Sequence, residues 1–511
     1  MIHFGLFSQR PRNIETLIFL VNLVRRRRTM AKTVSPGVQA LRKVVEDVYA
    51  DARKAKAEGK LVGWSSSKFP CELAEAFDLN VMYPENQAAG IAANRDGEIM
   101  CKAAEDLGFD NDICGYARIS LAYAAGKRAS RKVDLETGEY VINPNSGKPL
   151  KDENGNVVID PETGKPKKDP KTMQPYTVLD DIYEIEALPE GREKELRKAA
   201  IKPYRQMQMP QPDFMLCCNN ICNCMTKWYE NIARMRNIPL IMIDIPYNNT
   251  VDVHDTNVAY VRAQFDSAIK QLEELTGKKF DEKKFEQACA NANRTAQAWL
   301  RVCDYLQYKP SPYSGFDLFN HMADVVTARG KVAAAEAFEL LEKDLEEAVK
   351  NGTSTTPFPE KYRVMFEGIP CWPKLPNLFK PLKEHGVNVT AVVYAPAFGF
   401  VYNNMDEMVR AYYKAPNSVC IEQGVDWREG ICRDNKVDGV LVHYNRSCKP
   451  WSGYMAEMQR RFTKDLGVPC AGFDGDQADP RNFNEAQYET RVQGLVEAME
   501  ANQAKKEAEA K

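Results

Sequence analysis

The sequence predicts an α/β protein, with two Rossmann-like open-sheet domains joined by a helical region and a polar hairpin insertion in the first domain. Three observations carry this. Short apolar runs that end in Ser-, Cys- or Gly-bearing loops alternate with amphipathic stretches in both the first and the last part of the 511-residue chain, the pattern of strand–helix–strand units. The stretch 255–350 keeps helical periodicity without strand signals. The two strand-bearing regions also share a loose repeat. Asp213-Phe214-Met215-Leu216, a cysteine loop, a helix and Ile238–Asp244 form one unit; Asp438–Val442, a loop holding Cys448, a helix and Val468–Asp474 form the other. Lys68-Phe69-Pro70-Cys71 has a similar echo in Gly368-Ile369-Pro370-Cys371.

In chain order, Ser35–Lys60 reads as a helix with Val38, Leu41, Val44, Val45 and Val48 on one face. Leu61–Trp64 reads as a strand and Ser65–Ser67 as the loop after it. A helix Cys71–Phe77 and a strand Asn80–Tyr83 complete a βαβ unit. Residues 128–180 change composition. Glu136-Thr137-Gly138, Asn145-Ser146-Gly147, Glu153-Asn154-Gly155 and Glu162-Thr163-Gly164 are turn signals around the short strands Tyr140–Ile142 and Val157–Ile159. This is a surface hairpin, read as a solvated decoration. Helices follow at Val258–Leu275, Phe285–Leu306 and Val332–Val349, and a linker at Gly352–Pro357. The second α/β region has strands Arg363–Phe366, Val389–Tyr394, Gly439–His443 and Ala471–Phe473. Its helices are Leu375–Glu384, Tyr454–Leu466 and Glu485–Glu500, and the tail Ala501–Lys511 reads as frayed. The expected division is an extension 1–29, a first α/β domain 30–254 with its insertion 128–180, a helical region 255–355 and a second α/β domain 356–511. The extension reads as non-native. Leu17–Val24 is apolar, but its arginines, Arg25–Arg28, come after it, the wrong order for a secretory signal, and Met30-Ala31-Lys32-Thr33 resembles an ordinary start.

A net charge of −2 gives no electrostatic footprint for nucleic acid or an anionic membrane surface, and no apolar run approaches the roughly 20 residues of a membrane span. The 14 cysteines are dispersed with no CxxC pair. Without an export signal, the expected setting is the reducing cytoplasm, and ferredoxin repeats, zinc ribbons and thioredoxin motifs are excluded. Any metal ligands must therefore converge from distant loops. No GxGxxG and no P-loop occurs, so ATP chemistry would belong to a partner.

The densest chemistry is Cys217-Cys218-Asn219-Asn220-Ile221-Cys222-Asn223-Cys224, four thiols within eight residues. They lie between a strand and a helix, where open sheets place their sites, and their soft sulfurs suit iron or zinc. Cys101, Cys289, Cys303, Cys420, Cys432 and Cys470 fall on helical or strand patterns and read as core thiols. His443 reads as an interior residue or an acid–base beside the Cys448 loop. Arg460-Arg461 reads as a solvated helix end or a phosphate-steering pair. Ser67 is placed to cap a helix beginning near Pro70, and Glu85 to lie on the surface in the turn Tyr83-Pro84-Glu85-Asn86.

Four motifs resemble the 2-hydroxyacyl-CoA dehydratase family, which includes benzoyl-CoA reductase subunits. They are Gly63–Glu72, Asp112–Arg118, Cys217–Cys224 and Asn445-Arg446-Ser447-Cys448-Lys449-Pro450-Trp451. The likeness runs from about Met30 to Asn502. It implies a [4Fe-4S] cluster on three cysteines from separate loops, here Cys114, Cys218 and Cys448, with Cys217 the rival of Cys218. Cys222 and Cys224 are left as neighbouring or packing thiols. It also implies one iron without a protein ligand, and Ser67 and Glu85 beside it, holding iron-bound water or moving the protons of elimination. The reaction implied is loss of water from (R)-2-hydroxyglutaryl-CoA to give glutaconyl-CoA through a ketyl radical, in complex with a homologous beta subunit. An ATP-dependent iron–sulfur activator would deliver the electron, and a flavin (FMN) in the complex is found in some relatives. Two alternatives stay open: an electron-transfer or scaffold subunit whose cluster never meets substrate, and a reductase subunit for an aromatic acyl-CoA.

Overall fold

The computed structural model describes residues 34–204 and 207–509; the expected extension 1–29 lies outside the described residues. Ten strands are present among them: β1 Val62–Ser65, β2 Asn80–Met82, β3 Lys127–Arg131, β4 Thr177–Asp181, β5 Phe214–Cys218, β6 Leu240–Ile243, β7 Tyr362–Glu367, β8 Val387–Val392, β9 Gly439–Asn445 and β10 Cys470–Gly475. Eight of them form two four-stranded, all-parallel sheets, ordered β2-β1-β5-β6 and β8-β7-β9-β10. Within each sheet the order along the chain is second, first, third, fourth. The internal repeat read from sequence is thus a repeat of topology. In both sheets the chain reverses its winding beside the first strand, which opens a crevice at the carboxyl ends of the strands.

Parallel strands covered on both faces read as continuous apolar runs, and β1, β5, β7 and β8 are buried along their whole length. Side chains alternate between faces along a strand. In β5, Met215 and Cys217 join an apolar cluster that also contains Trp64 of β1 and Val364 and Phe366 of β7. Phe214, Leu216 and Cys218 join a second cluster against Val258, Val261 and Phe265 of the helix Asp255–Thr276. The helices Glu282–Asp304, Gly315–Thr327 and Val332–Lys350 complete the middle of the chain. The second of these is opened by Ser314, whose hydroxyl accepts from Phe316 N–H while Asp317 accepts from Ser314 N–H, a reciprocal cap.

The polar insertion is a long antiparallel hairpin. β3 pairs with β4, and bridges Val133–Tyr140, Ile142–Pro175, Lys151–Val157 and Ile159–Pro166 carry it outward. At the other end of the chain, the tail expected to fray instead continues the helix Glu485–Glu509. Its Ala, Glu, Gln and Lys are strong helix formers, and Lys505 and Glu509 are paired one turn apart.

One close approach positions the site. The segment Asp476–Ala478, just past β10, lies against the starts of the helices Gly97–Asp106 and Gly115–Ala124. A Cβ on Gly97 would stand 2.0 Å from the Ala478 carbonyl oxygen, and one on Gly115 would stand 2.6 Å from the Asp476 carboxylate. Only glycine permits this contact. Gly97→Ala is therefore expected to cost about 1–3 kcal/mol of stability through overpacking. Gly430 lies in the helix Ile421–Asp434 with no atom within 4 Å of its would-be Cβ; Gly430→Ala should gain roughly 0.5–1 kcal/mol from helix propensity. Denaturant midpoints of the two variants should move in opposite directions.

Candidate active site

The carboxyl ends of the two sheets meet around one cleft. Ser67 follows β1, Glu85 follows β2, Cys222 and Cys224 follow β5, Ile369 follows β7, Tyr394 follows β8, Cys448 follows β9 and Gln477 follows β10; Cys114 joins them from the helical connection. Every strand of the two sheets except β6 thus delivers a lining residue. The remaining walls are largely apolar or aromatic, with Met225, Trp228 and Trp451 among them.

Four thiols share this cleft: Cys114, Cys222, Cys224 and Cys448. Three of them, Cys114, Cys222 and Cys448, immediately precede a helix, Gly115–Ala124, Asn223–Arg236 and Lys449–Ser452 respectively. A helix start favours a thiolate, and the Ala117 and Trp451 amides draw the Cys114 and Cys448 thiols downward. Burial wins over this. It pushes Cys114 well above the usual thiol range, with Cys448 and Cys224 adding in the same direction, and it raises Cys448 as well. Cys222 is raised first by its hydrogen bond to Cys224, then by burial and by Cys448 and Cys114. Cys224, which receives the Cys222 hydrogen bond, is lowered to about 7. Gln477 Nε2 donates to Cys114 Sγ at 3.1 Å. Sulfurs whose thiolate forms would repel one another in an apolar cleft ionise more readily with a positive group between them, and soft sulfurs suit iron. Among the described residues no three His, Cys, Asp or Glu side chains converge closely enough to hold a single ion. A cluster tolerates wider spacing, since each sulfur then binds a different iron.

Cys218, expected to be the third sulfur, does not line the cleft. It is the last residue of β5 and its side chain falls on the face of the second apolar cluster. There it is fully buried, with Sγ 2.9 Å from Asn220 Oδ1 and 3.5 Å from Ser66 Oγ. Strand alternation is the reason. Its rival Cys217 is buried in the other cluster and does not line the cleft either. Cys222 and Cys448 occupy like places, each at the start of the helix that follows its strand.

Ser67 and Glu85 do meet. Ser67 N–H donates to Glu85 Oε1 at 2.8 Å, and Tyr229 O–H donates to Glu85 Oε2 at 2.8 Å. The alternative readings of both residues fail. The helix Cys71–Ala76 begins after Pro70 without a side-chain cap, and Glu85, in the first turn of the helix Pro84–Ala93, is only 9% exposed. Burial raises its carboxyl above the usual range, against the opposing hydrogen bonds from Ser67 and Tyr229. Burial of this kind favours the protonated carboxyl, the form a general acid needs.

Sequence reasoning missed Tyr116, Tyr394, Trp228 and Gln477. Tyr116 stands inside a quoted motif, two residues from Cys114, and that adjacency was a usable signal; for Tyr394 and Gln477 there was none, since folding alone brings them in. Ser67, Glu85, Tyr116 and Tyr394 also line an adjoining chamber flanked by Asn86, Asn94 and Asn320. His443 is an interior residue, fully buried, stacked on Phe473 and bonded to the Ile369 carbonyl at 2.5 Å; burial lowers its pKa to about 4. Arg460 and Arg461 pair with Glu457 on the surface.

The raised Glu85 pKa sets a pH dependence. A group with a raised folded pKa contributes stability that is fully present below its unfolded pKa and is lost as pH rises through the folded value. Glu85→Gln removes this loss. The stability difference, variant minus wild type, should grow as pH rises from about 4.5 through the folded Glu85 value, measured as paired denaturant midpoints so that other groups cancel. A difference independent of pH would contradict the buried, proton-holding carboxyl.

The model of a family described as 2-hydroxyglutaryl-CoA dehydratase, D-component, matches residues 194–499. The chain is 76% identical over 477 residues to the alpha subunit of (R)-2-hydroxyglutaryl-CoA dehydratase from Acidaminococcus fermentans, covering 93% of this chain and 100% of that protein. It is 45% identical to the (R)-phenyllactyl-CoA dehydratase alpha subunit of Clostridium sporogenes, over 92% of this chain and 96% of that one. To the (R)-2-hydroxyisocaproyl-CoA dehydratase alpha subunit of Clostridioides difficile it is 42% identical, over 89% of this chain and 94% of that one. With an α/β fold of parallel sheets and thiols gathered at their carboxyl ends, the chain belongs to the 2-hydroxyglutaryl-CoA dehydratase family, a family of hydro-lyases.

Proposed function

We propose that this chain is the alpha subunit of a dehydratase that removes water from (R)-2-hydroxyglutaryl-CoA to give glutaconyl-CoA. The observation that carries this reading is the end-to-end likeness to the Acidaminococcus fermentans subunit. The gathering of Ser67, Glu85 and four thiols at one cleft supports it.

The chemical difficulty is the β-proton, too weakly acidic for a side chain to remove. One electron added to the thioester carbonyl gives a ketyl radical anion, which expels the 2-hydroxyl and makes the β-proton far more acidic. The electron is then returned, so that water is the only net loss. A [4Fe-4S] cluster held by Cys114, Cys448 and Cys222, with Cys222 taking the place expected for Cys218, would supply a one-electron relay and a Lewis acid. The chain's own residues do the rest. The apolar walls exclude water and strengthen every hydrogen bond inside. Glu85, buried and held by Ser67 N–H and Tyr229 O–H, gives a proton to the departing hydroxyl or takes the β-proton. The Ser67 hydroxyl, 4% exposed beside it, orients the leaving oxygen. A homologous beta subunit completes the enzyme, and a separate ATP-dependent iron–sulfur activator delivers the electron.

Two outcomes test this. In anaerobically prepared protein, Cys114→Ala, Cys448→Ala and Cys222→Ala should lose iron and sulfide, while Cys218→Ala and Cys289→Ala keep them. A Cys218→Ala protein stripped of iron would return the third position to Cys218. With beta subunit, activator, ATP and a low-potential reductant, the complex should dehydrate (R)-2-hydroxyglutaryl-CoA without net reduction. Ser67→Ala and Glu85→Gln should each lower turnover by roughly 10²–10⁴-fold with the metal retained. Turnover by the lone chain without ATP, or a reduced product, would contradict the reading. A cluster spectrum unmoved by substrate would favour the electron-transfer alternative.

A further inference from the structure

Ser67, Glu85, Tyr116 and Tyr394 are the residues common to the thiol cleft and the adjoining chamber. A substrate reaching from that chamber to the thiols must pass them. Two of the four have assigned work; the two tyrosines do not.

Trp372 Nε1–H donates to the Tyr116 hydroxyl oxygen, and Tyr116 and Tyr394 stand together on the wall shared by the cleft and the chamber. Each hydroxyl has one proton to give. Among the described residues no acceptor is hydrogen-bonded to the Tyr394 hydroxyl, and Tyr394 lines the cleft. The ring is fixed edge-on against Trp451, at 5.7 Å and 88°, and against Phe398, at 5.9 Å and 84°. Burial raises the Tyr394 pKa, so the group remains a neutral donor at working pH. A preset donor in a dry site costs no reorganisation when negative charge develops nearby.

We propose that Tyr394 donates its hydroxyl hydrogen bond to the thioester carbonyl oxygen of the substrate, with Trp372 and Tyr116 as positioning residues behind it. This rests on the reaction proposed above, where that oxygen gains charge. No proton is transferred; the hydrogen bond strengthens as the carbonyl is reduced and relaxes when the electron leaves. Tyr394 and the Glu85 carboxyl are separate lining groups, so the carbonyl and the departing hydroxyl are held by different residues.

The test uses the whole complex with its activator. Tyr394→Phe should lower kcat by about 10²–10³-fold, the effect of losing one oxyanion donor, with KM nearly unchanged and iron and sulfide counts intact. Trp372→Phe should give a smaller loss, on the order of tenfold, as the removal of an outer partner does. A second readout needs no turnover. Isotope-edited infrared spectra of (R)-2-hydroxyglutaryl-CoA, ¹³C-labelled at the thioester carbonyl and bound to the resting complex, should show a lower carbonyl frequency in wild type than in Tyr394→Phe. Identical frequencies, or a loss of kcat that tracks lost iron or a lowered melting temperature, would overturn the proposal. If wild type binds the labelled thioester but never releases water, the dehydratase reading fails, while the frequency shift still decides the hydrogen bond.

Discussion

The site depends on one seam, where the chain past β9 and β10 is pressed against the helix that follows Cys114. Gly115 N–H donates to Ser447 Oγ at 2.9 Å, next to Cys448. Gln477 reaches Cys114 Sγ from the same side. Arg118, fully buried one turn into that helix, pairs with Asp479 at 2.9 Å and Glu105 at 2.7 Å. A buried guanidinium is tolerable only with partners on several sides, so this pairing fixes the helix at a definite distance from the segment Asp476–Asp479. The glycines at 97 and 115 allow that distance. Without the seam, Cys114 and Cys448 have no reason to share a cleft, because more than 300 residues separate them.

The seam also explains the electrostatics. It places thiols in an apolar cleft where neighbouring sulfurs raise the pKa of Cys114 and of Cys222, an arrangement that disfavours ionisation until a positive group is bound. Glu85 lies under the same pressure from burial, partly offset by two donors. The protein therefore holds strain in protonation on both sides of the cleft, where pKa tuning serves chemistry.

Much of the fold was legible in the sequence. Continuous apolar runs marked the parallel strands, and the echo of Phe214–Leu216 in Asp438–Val442 marked the repeat that the sheets share as a strand order. Local composition misled at the tail, where a polar stretch rich in helix formers stays helical to Glu509. At the site, the motifs pointed to loops that line the cleft, but not to which of the neighbouring sulfurs faces it. Cys218 and Cys222 differ in what a motif does not show: the first ends a strand and points into a core face, the second starts a helix and faces the cleft. Tyr394 and Gln477 were beyond reach for a different reason. Their roles come from contacts such as that between Gln477 and Cys114, made by the tertiary fold alone.

The central proposal is that the seam brings Cys114, Cys222 and Cys448 together so that they would hold one iron–sulfur group. Anomalous diffraction at the iron edge, from crystals of the complex grown without oxygen, tests it most directly. The account predicts iron density in this chain within bonding distance of the Sγ atoms of Cys114, Cys222 and Cys448, facing Ser67 and Glu85. Iron density bonded to Cys218, or a cleft without iron in a complex that turns over, would contradict it.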